Sequence, residues 1–447
     1  MFIKSGINKL FGIIFIVLTG ISPLKAQDLS EIYELALQND PILKQAQANQ
    51  LASGESKPQS IARLLPNISA TVLSSRDWLK NKKAGRDYRG PDQEYWSNSF
   101  NIKLTQPLFH KDYWIRLSQS DNQIAQAEAD YQTVLQKLMV KTTEAYFNVL
   151  SAQDTVELIL AEKQAISQQL EQAKQRFEVG FNAITDVYDA QAGFDEAIAN
   201  EIDAVHDLEN KREVLREIIG ENEVQLNSLG ATLPLLKPEP INIAFWSDSA
   251  EINNFSIISA FNKVEFSRKS IDAQRAGHLP QLDMVGSYST SDVNSTSGFR
   301  GDTQSIGVQL NVPLFEGGAV NSRTHQASYE YEAAKENLIA TKRAVKRQVK
   351  DAYNGVISSI SRVEALKTAV ASAESALEAN KVSFEIGIRT MVEVLAKQRD
   401  VYRSKRGFYR SRYDYLINSI KLKQASSNLT QNDLEQINRL LVKNHGG

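Results

Sequence analysis

The residue types that most often carry out catalysis or bind metals are few in this sequence and lie far apart. The five histidines are His110, His206, His278, His325 and His445. No two of them have the His-x-x-x-His spacing by which one helix binds a metal ion. The Gly317-Gly318 pair lacks the lysine-serine pair or the third glycine of a phosphate-binding loop. Because there is also no nucleophile motif, the sequence predicts a protein that is not an enzyme, with no cofactor and no metal site.

The stretches that organise the chain are two similar segments, RFEVGFNAITDVYDAQ (176–191) and SFEIGIRTMVEVLAKQ (383–398). Four residues of the first recur in the second at a constant offset of 207, and the pairs are Phe177 and Phe384, Gly180 and Gly387, Val187 and Val394, and Gln191 and Gln398. In each segment a glycine separates two heptad-patterned stretches, which is typical of a turn between two long helices. The chain is therefore predicted to contain two structural repeats, 27–230 and 231–447.

Long helices are predicted on both sides of each turn, at about 108–219 in the first repeat and 314–423 in the second. Nine apolar residues recur at intervals of seven in the first repeat: Leu117, Ile124, Tyr131, Leu138, Ala145, Ala152, Ile159, Ile166 and Ala173. A period of seven over some sixty residues indicates a left-handed coiled coil. Between the repeats, residues 220–254 hold three prolines and no sustained period, which predicts a linker packed outside the helices. A short helix is predicted in the polar C-terminal tail.

Strands are predicted near 67–75 and 99–106 in the first repeat and near 282–289 and 305–312 in the second, because apolar and polar residues alternate there. Pro107 and Pro313 follow the second strand of each pair and are predicted to end the strand and begin the following helix. The charged loop of the first hairpin is flanked by Trp78, Tyr95 and Trp96, which fits a membrane β-barrel, although a soluble hairpin is the alternative.

The N-terminus has the pattern of a secretory signal peptide over residues 1–26. Lys4 and Lys9 precede or flank an apolar run that is too short to span a bilayer, and Ala26 offers a small residue for cleavage. The chain has no cysteine and a net charge of −2, so it shows no basic bias toward nucleic acid. An exported chain without a long apolar helix can enter a membrane only as strands.

Four strands cannot close a sheet on their own, and lipid does not tolerate an open strand edge. Two chains would give eight strands and a filled interior, whereas three would give twelve and a wider lumen. The rows predicted to face inward are polar, including Lys103, Asp283 and Gln309, which favours a water-filled pore. We therefore expect an α+β membrane protein in which strands from more than one chain close into a β-barrel, and the barrel continues into a ring of long helices.

The sequence resembles the TolC-like outer-membrane efflux proteins. The resemblance covers nearly the whole chain after residue 26 and rests on the order and duplication of short phrases: LTQPLF (104–109), LPQL (279–282), NVPLF (311–315), GIRTMVEVL (387–395) and YLINSIKLKQASSNL (415–429). It implies a homotrimer in the outer membrane of a bacterium, in which a trimeric, 12-stranded β-barrel of four strands per chain continues into a long periplasmic coiled-coil barrel. It also implies docking to an inner-membrane RND or ABC pump through a periplasmic adaptor, for drug efflux or type I secretion.

The resemblance also implies that the helix tips form a gate. By position, Thr185 and Asp186 at the first turn would meet Arg389 at the second, and Glu393 would line the constriction. The alternative is that Asp186 is an ordinary helix N-cap and Arg389 a solvated surface charge. Two positions depart from well-known members, which have a tyrosine where this chain has Phe384 and an aspartate where it has Ala396.

The adaptor would contact the exposed tips. At the first turn these are Val179, Gly180, Phe181 and Asn182, and at the second turn Ile386, Gly387 and Ile388. Large apolar side chains beside a turn are unusual unless a partner covers them. A different class of protein, a periplasmic or outer-membrane coiled-coil scaffold without a pore, remains the alternative function. The cargo is not encoded in any motif that we find.

Overall fold

A computed structural model describes residues 27–80, 92–181, 183–222, 224–294, 298 and 300–442. The predicted signal peptide, 1–26, lies outside the described residues. The first half contains α1 (Leu29–Asn39), α2 (Pro41–Gly54), α3 (Ser56–Ala62), β1 (Asn67–Leu79), β2 (Gln93–Phe109), α4 (Lys111–Glu178) and α5 (Ile184–Ile219). The second half contains β3 (Ser228–Leu229), α6 (Ile243–Asn253), α7 (Phe255–Arg275), β4 (Gln281–Val293), β5 (Arg300–Asn311), α8 (Ala319–Glu385), α9 (Met391–Ala425), α10 (Gln431–Asn438) and β6 (Leu441–Val442).

The four long strands form one antiparallel sheet in the order β1-β2-β4-β5. Three of the strands predicted from alternation lie inside these elements, and the fourth, 305–312, passes the end of β5 by one residue; the observed strands extend several residues further at most of their ends. β1 and β5 are the edges of the sheet in a single chain. Among the described residues, no helix combines the length and the apolar character that crossing a membrane requires.

The two faces of this sheet differ in polarity along its whole width. One face carries aligned apolar residues, as in the pairs Ala70 with Ile102 and Val72 with Phe100. The other face carries polar pairs such as Ser69 with Lys103, and Asp283 with Gln309. The apolar face is left uncovered by the chain, since Val72 is 76% exposed and Ile306 is 80% exposed.

The strand-to-helix junctions differ from the prediction for Pro107 and Pro313. β2 continues through Pro107 to Phe109, and α4 begins only at Lys111. Past Thr105, β2 no longer pairs with β1, so the missing N–H of Pro107 interrupts no ladder on that side, and a bulge follows it. Pro313 comes after the end of β5, and α8 begins at Ala319. Neither proline lies in the first turn of a helix.

Two very long helices dominate the molecule. α4 has 68 residues and α8 has 67, and at 1.5 Å per residue each is about 100 Å long. The lower six residues of the predicted heptad line are buried, and they are Leu138, Ala145, Ala152, Ile159, Ile166 and Ala173. The prediction of long helices at about 108–219 and 314–423 agrees with these bounds, apart from the junctions described above.

The region between the halves holds more helix than the sequence indicated. Residues 220–254 contain β3 and α6, and α7 follows directly; the sequence pattern predicts none of these three elements. β3 pairs with β6 from the C-terminal tail, so both segments meet at one level of the long helices. We call the segment that contains β3, together with the C-terminal tail that contains β6, the belt. Side chains of the long helices bind it: Tyr146 donates a hydrogen bond to the Asn227 carbonyl at 2.9 Å, and the Tyr415 hydroxyl forms hydrogen bonds with the backbone of Leu236.

α9 and α7 are joined end to end at Asn254. The Asn254 side chain caps α7 by accepting a hydrogen bond from the Ser256 N–H at 3.0 Å. Its Nδ2 donates to the carbonyl of Ala425, the last residue of α9, at 3.1 Å. α7 and α9 each pack against both α4 and α8, so they follow one another in the gap between the two long helices.

The apolar interior is divided into two clusters. A large cluster surrounds the belt and includes α1, the middle of α4 and the C-terminal half of α9. A small cluster lies near the helix tips and consists of Ile166, Leu170, Ala173, Ala190, Ala197, Met391 and Leu395. We call α4 with α5 the first hairpin, and α8 with α9 the second hairpin. The small cluster joins the two hairpins at their tips.

Candidate functional site: the helix tips

The turn of the first hairpin closes around Gly180. This residue has a φ of +81°, a conformation that is strained for residues with a Cβ. The Phe181 N–H donates to the Arg176 carbonyl at 2.8 Å, and the Gly180 N–H donates to the Phe177 carbonyl at 2.9 Å. These bonds satisfy the last carbonyls of α4. They leave Val179 and Phe181 facing outward, with Phe181 84% exposed. Asn182 lies outside the described residues.

The turn of the second hairpin has the same hydrogen-bond pattern. Gly387 has a φ of +78°. The Ile388 N–H donates to the Ser383 carbonyl at 2.9 Å, and the Gly387 N–H donates to the Phe384 carbonyl at 3.0 Å. Ile386 and Ile388 are exposed, with Ile388 at 72%. Each hairpin therefore presents two large apolar side chains beside a glycine that fixes the turn.

The start of α9 is a charged cap. The Thr390 hydroxyl accepts from the Glu393 N–H at 3.3 Å, and the Glu393 carboxylate accepts from the Thr390 N–H at 2.9 Å. Arg389 forms an ion pair with the same carboxylate. The Thr390 N–H and the Arg389 guanidinium lower the pKa of Glu393 from its usual value. Within one chain, Arg389 is therefore held by Glu393.

The start of α5 lacks such a cap. Ala183 is its N-cap residue and makes no side-chain hydrogen bond, so the interpretation of Asp186 as the N-cap is wrong. Asp186 is half-buried in the first turn and Thr185 is exposed. Within the described part of the chain, neither a hydrogen bond nor an ion pair joins Asp186 to Arg389. The structure of a single chain thus brings together Arg389 and Glu393, and it places Thr185 and Asp186 on the other hairpin.

Phe384 joins the two hairpins through its ring, a role that its residue type alone does not predict. Its ring packs against the small apolar cluster and lies under the guanidinium of Arg176, 5.4 Å from the ring centre. The phenylalanine uses its face where a tyrosine could use a hydroxyl. Arg176, whose counterpart at the offset of 207 is Ser383, was not singled out from the sequence.

Polar contacts between α4 and α9 were also missed. Three of them connect the two hairpins: Asp154 with Tyr413 and Glu162 with Arg406 between the two apolar clusters, and Gln169 with Gln398 at the level of the small cluster. Their partners are more than 200 residues apart in sequence, and a heptad pattern marks only apolar positions. One signal in the sequence could have pointed to these contacts: Gln398 belongs to the segment that recurs at the offset of 207.

Neither the tips nor the rest of the described chain holds a group of three or more residues suited to a metal ion. His110 contacts one carboxylate and one aromatic ring: its Nε2 lies 3.0 Å from an Asp283 carboxylate oxygen, and its ring stacks on Tyr113 at 4.5 Å. The pair of His110 and Asp283 connects the end of β2 to β4 at the junction with α4, so its role is to stabilise the fold.

Solved structures share this architecture of a small sheet on very long helices. The chain is similar to the Campylobacter jejuni CmeC outer membrane channel, with a TM-score of 0.80 over 93% of this chain and 90% of that one, at 16% identity. At that identity the likeness establishes the fold, which is that of outer-membrane channels built with long helices.

Sequence comparison establishes the family. The model of the outer membrane efflux protein family matches residues 32–221 and 246–428. The chain is 36% identical to the outer membrane protein TolC of Vibrio cholerae over 425 residues, which are 93% of this chain and 94% of the relative. It is 29% identical to the alkaline protease secretion protein AprF of Pseudomonas aeruginosa over 418 residues, 92% of this chain and 87% of the relative. The chain belongs to the outer membrane efflux protein family and is an outer-membrane transport protein.

Proposed function

We propose that this protein is a trimeric channel-tunnel of the outer membrane, the exit duct of a tripartite efflux or type I secretion system. The observation that carries the proposal is the four-stranded sheet, which has an exposed apolar face, a polar face and two edges that are unpaired in the chain. Lipid covers an apolar face well, but an open strand edge in lipid leaves peptide groups without hydrogen-bond partners.

Assembly of three chains satisfies these edges. β5 of one chain would pair with β1 of the next, giving a 12-stranded barrel with Ile306 and Val72 toward lipid and Lys103 toward the lumen. Twelve strands leave a wider lumen than eight, which fits the polar row of Lys103, Ser69 and Ser287. Since β2 leads into α4 and β5 leads into α8, a ring of strands imposes a ring of helices on the periplasmic side.

The helix tips are then the periplasmic entrance, and their residues form the gate. Arg389 pairs with Glu393 in one chain, and its guanidinium is half exposed, so Thr185 and Asp186 can engage it across hairpins or from a neighbouring protomer. An exposed ion pair is weak, which suits a contact that must open. Phe384 and Arg176 add a second contact between the hairpins.

The partners in this proposal are a periplasmic adaptor and an inner-membrane pump of the RND or ABC type. The adaptor would cover the exposed apolar tips of both hairpins, Val179, Gly180, Phe181 and Asn182 on one side and Ile386, Gly387 and Ile388 on the other. Relatives include TolC and a protease secretion protein, which supports either drug efflux or protein export. No nucleic acid and no cofactor take part.

A first experiment separates the channel from the pore-free scaffold. Membrane fractionation, trimer analysis on gels without boiling and conductance measurements in planar bilayers use the intact protein. A trimer in the outer membrane that conducts ions supports the proposal. A soluble periplasmic protein without conductance would refute it and favour the scaffold.

A second experiment tests the gate. Arg389→Ser removes the cation that pairs with Glu393 and that would pair with Asp186, so we expect a higher single-channel conductance than that of the wild type. Arg347→Ser is a matched control, because Arg347 forms an exposed i,i+4 ion pair with Asp351 far from the tips. If Arg389→Ser leaves the conductance at the wild-type value, the gate assignment is wrong.

A further inference from the structure

The contact between the two hairpins contains polar pairs in its middle part, where Ile159 on α4 and Val401 on α9 are also buried. On α4, the large apolar cluster reaches down to Ala152, and the small tip cluster begins at Ile166. On α9, Tyr413 belongs to the large cluster and Leu395 to the small one. The contacts of Asp154 with Tyr413 and of Glu162 with Arg406 lie between them. The contact between the hairpins above the tips therefore contains one buried carboxylate, Glu162, and one half-buried carboxylate, Asp154.

Glu162 is the least well compensated of these groups. It is 6% exposed. In the described chain, its carboxylate accepts a hydrogen bond from Arg406 at 3.3 Å and from no other side chain. Well-formed bonds between a guanidinium and a carboxylate are about 2.7 to 2.9 Å long. Asp154, by comparison, accepts a short bond of 2.6 Å from Tyr413.

The other charges around Glu162 do not supply a better partner. Arg399 on α9 lies 2.7 Å from Glu196 on α5, and Arg403 lies 3.2 Å from Asp400. Asp189 and Glu196 line the same cleft between α4, α5 and α9 as Glu162 does, so α5 faces it with negative charge. Desolvation of a buried carboxylate is expensive, and a single long contact offsets it only in part.

Burial raises the pKa of Glu162 above its usual value, and Arg406 and Arg399 oppose that shift without cancelling it. A carboxyl group whose pKa is raised in the packed state favours packing when it is neutral. That contribution is present at acid pH and is lost as the pH rises through the raised value. Above the raised value, the ionised Glu162 therefore works against the contact between the hairpins. Burial also raises the pKa of Asp154, so this group acts with the same sign.

We propose that Glu162 is a built-in destabiliser of the contact between the two hairpins: its buried charge keeps the second hairpin ready to separate from the first, and neutralising it locks the two together. The consequence for gating rests on the proposed channel function. Glu162 acts as a positioning residue for the tips, since it lies above the small tip cluster and reaches them through α4 and α9. Acidification of the periplasm would close such a channel.

The two partners of this ion pair make the test sharp, because their substitutions are expected to have opposite effects. Glu162→Gln removes the buried charge and should lower the fraction of open channels several-fold at pH 7.5. Arg406→Gln leaves Glu162 buried without its nearest cation and should raise that fraction several-fold. An ion pair that stabilises the closed state predicts that both substitutions open the channel, and that result would overturn the proposal. Glu171→Gln, at an exposed position on α4 whose side chain bonds Gln175, is the matched control.

A measurement in detergent separates this proposal from the channel function. Because the chain has no cysteine, spin labels can be attached at Lys174→Cys on α4 and Glu385→Cys on α8, and the distance between hairpins followed from pH 7.5 to pH 5. We expect the distance distribution to narrow at acid pH in the wild type, and to be narrow and independent of pH in Glu162→Gln.

The outcomes are distinct. If the wild type forms no pore but the distances respond as expected, the channel function fails and the role of Glu162 at the hairpin contact stands. If acid narrows the distances equally in Glu162→Gln, Asp154 or another group is responsible and the proposal is refuted. If the wild type conducts and neither conductance nor distance changes in Glu162→Gln, the proposal is refuted while the channel function remains.

Discussion

The contact of Arg176 with Phe384 allows a quantitative test of the gate. The two residues belong to different hairpins, and the guanidinium lies 5.4 Å from the ring centre at a half-buried position. Phe384→Leu keeps an apolar side chain against the small tip cluster but removes the aromatic face. A cation–π contact at such a site contributes about 0.5 to 1 kcal/mol. The ratio of open to closed channels should therefore rise by a factor of about 2 to 5 per protomer.

A double-mutant cycle isolates this contact from the packing of the leucine. Arg176→Gln, Phe384→Leu and the double variant would be compared by single-channel recording, with the open-to-closed ratio converted to a free energy for each. We expect a coupling free energy of about 0.5 to 1 kcal/mol between the two positions. Phe384→Tyr keeps the ring and should keep the coupling. Independent effects of the two substitutions, with no coupling, would show that the cation and the ring do not hold the hairpins together.

Two further predictions concern the parts that position the tips. Gly387→Ala places a Cβ at a φ of +78° and should destabilise the second turn by about 1 to 2 kcal/mol. Gly54→Ala, in α2, is the control and should not destabilise the protein. Equal melting temperatures of the two variants would contradict the role of the turn. Tyr146→Phe removes the donor to the Asn227 carbonyl and should lower the free energy of unfolding by about 1 to 3 kcal/mol. Amide hydrogen exchange should increase in residues 224–236. Exchange that matches the wild type would show that the belt does not depend on this hydroxyl.

The features that sequence predicted well are those encoded locally. The heptad line from Leu138 to Ala173 marks the buried side of α4 because the period of seven follows from the geometry of packed helices. Gly180 and Gly387 were found as turns because both adopt a left-handed conformation that favours glycine. Alternation located the strands, because one face of the sheet is apolar and the other polar.

The features that sequence did not predict depend on distant neighbours. Pro107 predicts the end of a strand, yet β2 continues to Phe109 by pairing with β4. β1 does not reach Pro107, so the missing N–H interrupts no ladder there, and only the register reveals this. The pairing of Glu162 with Arg406 spans more than 200 residues and has no periodic signal. The predicted contact of Arg389 with Asp186 stays a prediction; within the chain, Arg389 pairs with Glu393 in the first turn of α9, four residues further on.

The joint at Asn254 gives the two sides of the second hairpin different stiffness. α9 and α7, of 35 and 21 residues, form one column from the tip toward β4, because a single amide connects the last carbonyl of α9 to the first turn of α7. α8 instead meets β5 through an irregular segment that ends in Gly317 and Gly318, both with positive φ. We therefore expect an axial displacement of α9 to reach β4 through α7, and a rotation of α8 to be taken up at Gly317 and Gly318 before it reaches β5.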